Sequence, residues 1–145
     1  MRVAEARAGA TGRLAAAGAQ DPAIEAEVLV REAMGADRVQ YLTSLRDALA
    51  EDSEAALDGL IRRRETGEPL AYILGRREFY GLDFTVGPDV LVPRQETELL
   101  VDLVLQHAAT MSAPPVVADV GTGSGAVAIA VAVNLPGATV FATDV

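Results

Sequence analysis

Between residues 116 and 144 the chain passes through an apolar run, a glycine loop, an apolar helix, a break, a second apolar run and a carboxylate. Few folds accommodate that order. Val116, Val117, Ala118 and Val120, arriving after Pro114 and Pro115, suit a short buried parallel strand. Gly121-Thr122-Gly123-Ser124-Gly125 then sets glycine at alternate positions. Ala126, Ile129, Ala130 and Val133 recur at helical spacing, and Leu135-Pro136-Gly137 stops that helix. Thr139 to Ala142 form a second strand, which ends at Thr143-Asp144. The unit is strand, loop, helix, strand: half of a nucleotide-type site.

The loop has a physical purpose. Glycine lets the backbone turn sharply and lets a ligand approach without meeting a Cβ. The helix that follows directs its free N–H groups towards whatever sits there. A carboxylate at the tip of the next strand, here Asp144, can accept both hydroxyls of a ribose. Two ligand classes use such a layout, dinucleotides and S-adenosylmethionine. Gly121, Gly123 and Ala126 satisfy the dinucleotide spacing, with Asp144 about 20 residues on. Asp119, just before the loop, weighs the other way. A carboxylate there repels a pyrophosphate but suits a ligand carrying an ammonium and a sulfonium. Asp119-Val120-Gly121-Thr122-Gly123-Ser124-Gly125 resembles the first motif of the class I methyltransferases.

Composition narrows the remaining possibilities. The chain has 145 residues, room for one ordinary domain or two small ones. Half of them are hydrophobic but only 4% aromatic, so the core must be built from Ala, Val and Leu. No cysteine is present, which removes disulfides and thiolate chemistry together. His107 is the single histidine and sits near a helix end, so no metal site is expected. The net charge of −9 opposes a nucleic-acid surface. Arg62-Arg63-Arg64 is the best local exception, and it reads as a solvated helix end complementing the helix dipole. With no long apolar run and no signal-peptide block, a cytoplasmic protein free of membrane contact is expected.

In chain order, Val3, Ala6, Ala10 and Leu14 mark a first helix despite Gly9 and Gly12. Asp21 as N-cap acceptor and Pro22 open a second, with Ile24, Val28, Leu29 and Ala33 as its apolar face and Gly35 as its end. Asp37 begins a short helix bearing Val39, Tyr41, Leu42 and Leu45. Asp52 or Ser53 caps another, through Ala56, Leu57, Leu60 and Ile61, closed by Gly67. Pro69 starts a last short one ending at Gly75. Beyond it, Phe79, Phe84 and Val86 among polar residues, with Gly81-Leu82 between two extended runs, suggest a β-hairpin. From Glu96 an apolar helix runs through Leu99, Leu100, Leu103 and Val104, with Thr97 or Gln95 as its cap.

Several segments then match one family together. They are Gly67-Glu68-Pro69-Leu70-Ala71-Tyr72-Ile73-Leu74-Gly75, Arg77-Glu78-Phe79-Tyr80-Gly81-Leu82-Asp83-Phe84, and Val90-Leu91-Val92-Pro93-Arg94-Gln95-Glu96-Thr97-Glu98-Leu99-Leu100-Val101. With the loop behind them, the chain resembles the N-terminal half of the release-factor glutamine methyltransferase family (HemK/PrmC). The resemblance implies an α plus α/β architecture. Residues 1–75 would be a helical substrate-recognition bundle, 76–93 a β-hairpin connector, and 94–145 the incomplete start of a Rossmann-like class I methyltransferase domain. It implies S-adenosylmethionine as cosubstrate, a peptide chain release factor as partner, and methylation of the glutamine in its Gly-Gly-Gln motif. Gly121, Thr122, Gly123, Ser124 and Gly125 would wrap the donor, Asp144 would take its ribose hydroxyls, and Pro93 to Glu98 would lie nearby. Gln95 departs from the proline usual after the arginine, which loosens the backbone there.

The family's Asn-Pro-Pro-Tyr motif, which holds the substrate amide, is expected beyond Val145, so no catalytic residue is assigned within this chain. Two strands alone should not make a stable catalytic domain, because a parallel sheet needs neighbours and covered faces. A monomer is expected. A nucleic-acid amino-methyltransferase shares the glycine loop and is the first alternative, against which the charge counts. A non-catalytic docking fragment carried by the helical bundle is the second.

Overall fold

The computed structural model describes residues 1–145 and is predominantly helical with two small sheets. It divides into two compact units, Met1–Leu74 and Gly75–Val145.

The first unit contains α1 (Val3–Ala16), α2 (Pro22–Met34), α3 (Arg38–Thr43), α4 (Glu51–Glu65) and α5 (Leu70–Leu74). The expected face of α1 is the buried one: Val3, Ala6, Ala10 and Leu14 are all at most 2% exposed. The face of α2 is only partly the expected one, with Leu29 buried and Ala33 packed against the core as expected. Ile24 is 65% exposed, while Ala26, Leu29 and Val30 are sealed. The helix packs against both α1 and α4. Asp21 occupies the N-cap, but its side chain accepts no capping bond. Asp37 does cap α3, accepting the Gln40 N–H at 2.8 Å, and Gln40 returns the bond to the Asp37 N–H. Only Tyr41 of that helix is buried; Val39 and Leu42 face water.

The start of α4 is also displaced. Its N-cap is Ala50, and Asp52 and Ser53 lie inside the first turn. The cause is tertiary. The Leu49 N–H donates to the Met1 carbonyl, and the Val3 N–H to the Asp47 carbonyl, which keeps residues 48–50 out of the helix. Once started, the helix suits its dipole, with Glu51, Asp52 and Glu54 in the first turn and Arg62, Arg63 and Arg64 in the last. Those arginines are not a free cationic patch. Arg62 pairs with Asp58, Arg63 with Glu68, and Arg64 with Glu25 on α2. Arg13 of α1 adds a two-pronged bond to Glu65 and a third contact to Asp58. These bonds hold the Asp58, Glu65 and Glu68 carboxyls below their ordinary range.

The second unit begins with the antiparallel hairpin β1 (Arg76–Phe79) and β2 (Leu82–Thr85). Phe79 pairs with Leu82, so the turn residues are Tyr80 and Gly81, one position earlier than the spacing suggested. Both have positive φ, 53° and 74°, as a tight two-residue hairpin loop requires. Phe79, Phe84 and Val86 are buried, the two rings meeting edge to face at 6.2 Å. After a short 3-10 turn at Gln95–Thr97 comes α6 (Glu98–Ala108), with Thr97 at the N-cap position but making no side-chain bond. Then follow β3 (Val116–Val120), α7 (Ala126–Asn134) and β4 (Thr139–Thr143), the strands parallel and in register from Val116↔Thr139 to Val120↔Thr143.

The strand–helix–strand order is as expected, but the burial is not. Val116 and Val120 are 71% and 83% exposed, and Leu99, Leu100 and Leu103 of α6 are half exposed or more. In α7 the buried residues are Ala126, Ala128, Ala130 and Val131, while Ile129 and Val133 point outwards. A two-stranded sheet with one helix against it has two open edges and an uncovered face. Its apolar side chains have nowhere else to go. No helix is long and apolar enough to cross a membrane.

Candidate functional site

The glycine loop leaves β3 and enters α7 in a conformation that its sequence explains. Gly121, Gly123 and Gly125 all have positive φ, 79°, 55° and 78°, where side chains are strained. An added Cβ at Gly121 or Gly123 would meet no atom within 4 Å, so the demand there is conformational. At Gly125 it would also lie 3.3 Å from the Ile129 side chain.

Four N–H groups of this loop are already engaged. Gly121 and Thr122 both donate to the Thr143 carbonyl, at 2.8 and 3.0 Å. Gly123 donates to the Asp144 carboxylate at 2.6 Å, and Gly125 to the Thr122 carbonyl at 2.9 Å. Asp119 reaches over the loop. Its Oδ2 accepts the Thr122 hydroxyl at 2.7 Å and the Ala128 N–H at 3.1 Å. Ala128 is in the first turn of α7, so the positive end of that helix already faces an internal carboxylate. Of the helix N–H groups expected to turn to a ligand, that of Ala128 is taken by Asp119. Asp144 is held from both sides, by the Gly123 and Val145 N–H groups, which push its carboxyl below the ordinary range.

A cavity of about 350 Å³ opens against the loop. Gly121, Thr122, Gly123 and Ser124 form one side, with Asp119 beside them. Pro93, Arg94 and Thr97 contribute from the segment expected nearby. Gly125 and Asp144 do not line it; they act on the loop itself, one as a hinge and one as an acceptor. Phe79, Leu91 and Val92 supply an apolar wall that sequence reasoning did not assign to the site. The cavity thus combines an acidic group, one guanidinium and an apolar lining. No group of three or more His, Cys, Asp or Glu is placed to hold a metal.

Comparison with known proteins bears on this arrangement. A family profile described as the PrmC N-terminal domain matches residues 5–75. The release factor glutamine methyltransferase of Moorella thermoacetica is 43% identical over 145 residues, covering all of this chain and 51% of its own length. The chain belongs to the release factor glutamine methyltransferase family. The enzyme of that name from Neisseria gonorrhoeae is 48% identical over 124 residues, 86% of this chain and 44% of its own. That from Geobacter sulfurreducens is 43% identical over 133 residues, 92% of this chain and 46% of its own. The chain spans about half the length of the curated relatives it matches. Both the helical unit and the glycine-loop unit lie within the span shared with the Moorella family member.

Two features of the site had weak or no signal in the sequence. Asp119 was visible, but as a charge facing a ligand and not as a brace across the loop. Tyr80 is the second: an aromatic residue beside Gly81 at a turn is unusual turn chemistry, and that oddity was the available clue.

Proposed function

We propose that the whole protein transfers a methyl group from S-adenosylmethionine to the glutamine side-chain amide in the Gly-Gly-Gln motif of a peptide chain release factor. In this reading the glycine-loop unit is the first part of a Rossmann-like methyltransferase domain. The loop from Gly121 to Ser124 faces the donor in the cavity, and Gly125 and the Asp144 carboxylate hold that loop in shape. One observation supports the methyl donor over a dinucleotide above all others. The Asp119 carboxylate lines the cavity beside the loop and takes the Ala128 N–H in the first turn of α7. That carboxylate would repel a diphosphate and attract a cation.

The donor, when bound, supplies an electrophilic methyl on a sulfonium. The chain's own part is to bind and orient it. Asp119 fixes the loop, Arg94 offers a countercharge for a carboxylate, and Phe79, Leu91 and Val92 exclude water from one side. An amide nitrogen is a weak nucleophile, so positioning and desolvation matter more than proton abstraction. None of these residues is assigned as a general base.

Calorimetry on the full-length protein tests the reading. Saturable binding of S-adenosylmethionine, little binding of a nicotinamide dinucleotide, and methyl incorporation into a release factor that is lost when its Gly-Gly-Gln glutamine is replaced are the expected results. Binding of the dinucleotide without the methyl donor would overturn the proposal. Methylation of naked DNA or RNA would favour the nucleic-acid alternative.

A further inference from the structure

The Tyr80 backbone has a φ of 53°, a conformation costing a residue with a side chain about 1 kcal/mol or more. Glycine or asparagine would form the same turn with less strain. What tyrosine adds is reach. Its hydroxyl donates to Asp102 Oδ1 at 2.7 Å, and its own N–H donates to Glu98 Oε1 at 2.9 Å. Glu98 and Asp102 are one turn apart on α6, so a single residue is tied to the helix at two points. Both ends of this tie adjoin the cavity. Phe79, next to Tyr80, and Thr97, next to Glu98, are each part of its lining.

We propose that Tyr80 is a positioning residue: it straps the hairpin turn to the start of α6 and so sets the spacing between the Phe79 and Thr97 walls of the cavity. The bond to Asp102 needs the neutral phenol, and that same bond raises the Tyr80 hydroxyl above its ordinary range. The identity of the ligand rests on the methyl-donor reading. The strap itself does not.

Full-length wild-type protein and the variants Tyr80→Phe, Asp102→Asn and Asp102→Leu separate the possibilities. Tyr80→Phe and Asp102→Leu should weaken S-adenosylmethionine about fivefold to tenfold, the loss of one hydrogen bond to a charged acceptor. Asp102→Asn keeps an acceptor oxygen and should stay within about twofold of wild type. Unfolding midpoints should move little, since the tie is near the surface. Hydrogen exchange without ligand should quicken at residues 79–81 and 93–97 in Tyr80→Phe. Unchanged exchange and wild-type affinity in Tyr80→Phe would overturn the strap, as would a lowered unfolding midpoint with unchanged affinity. If wild type bound no methyl donor, the functional proposal would fall, and faster exchange in Tyr80→Phe would still support the strap.

Discussion

Leu29 on α2 and Leu100 on the more apolar α6 carry the same side chain, yet one is fully buried and the other 50% exposed. The helical unit closes on itself, with three helices sharing Leu14, Leu29, Val30 and Ile61. The glycine-loop unit leaves Leu99, Leu103, Val116, Val120 and Phe141 open to water. A hydrophobic side chain contributes its roughly 1.5–3 kcal/mol only when another element covers it. Apolar periodicity records a wish for a partner, and only one of these units contains enough partners to answer it.

The sharpest way to break this comparison is the same truncation in both units. Leu29→Ala should cost about 3 kcal/mol in chemical denaturation of residues 1–145, through lost burial and a cavity. Leu100→Ala should change the stability of the same chain by less than about 0.5 kcal/mol. Equal effects would mean that the second unit is packed more like the first than its exposures indicate.

Glycine substitutions draw the next contrast. Gly123→Ala should cost about 1–2 kcal/mol, because its φ of 55° strains any side chain, and should weaken methyl-donor binding by full-length protein in calorimetry. Gly9→Ala, inside α1 and with nothing within 4 Å of its added Cβ, should instead stabilise by about 0.5–1 kcal/mol. The loop glycines are there for backbone shape; the helical one is not.

Ion pairs sharpen the comparison further. The Arg64 and Glu25 side chains are only 21% and 15% exposed, and they join α4 to α2 through two bonds. Arg64→Ala should cost about 1 kcal/mol or slightly more, measured by thermal unfolding. Acid should act in the same place. Asp58, Glu65 and Glu68 have depressed pKa values in the folded chain, so their stabilisation is complete above the unfolded carboxylate range near pH 4 and is lost as pH falls through the depressed values. In the glycine-loop unit the Asp144 carboxyl is in that condition. Hydrogen exchange followed downwards from about pH 5 should therefore show the larger loss of protection in the helical unit. The reverse order would mean that the surface pairs contribute little.

Much of the architecture was legible before any coordinates. Leu14 and its partners at helical spacing, the prolines and glycines at helix boundaries, and the alternating glycines before Ala126 are local signals, and each corresponds to an observed feature. So was the approach of Pro93, Arg94 and Thr97 to the loop, though through resemblance and not through spacing. The exposure of Ile24 on α2, the cap of α4 and the exposure of β3 were not legible. Ile24 is as hydrophobic as Leu29, and Asp52 is a better cap than Ala50 by any local rule.

The sequence by itself determined, to within a residue or two, where most of the turns and helix ends fall, because turn conformation and helix termination depend on a few neighbouring residues and their allowed φ and ψ. The tertiary structure alone decided which apolar faces are covered. It also decided that Asp119 braces the loop through Thr122 and Ala128, and that Tyr80 reaches from the hairpin turn to Asp102 on α6. Those outcomes depend on groups brought together from distant positions, and a hydrogen bond or a buried contact exists only once both partners have arrived.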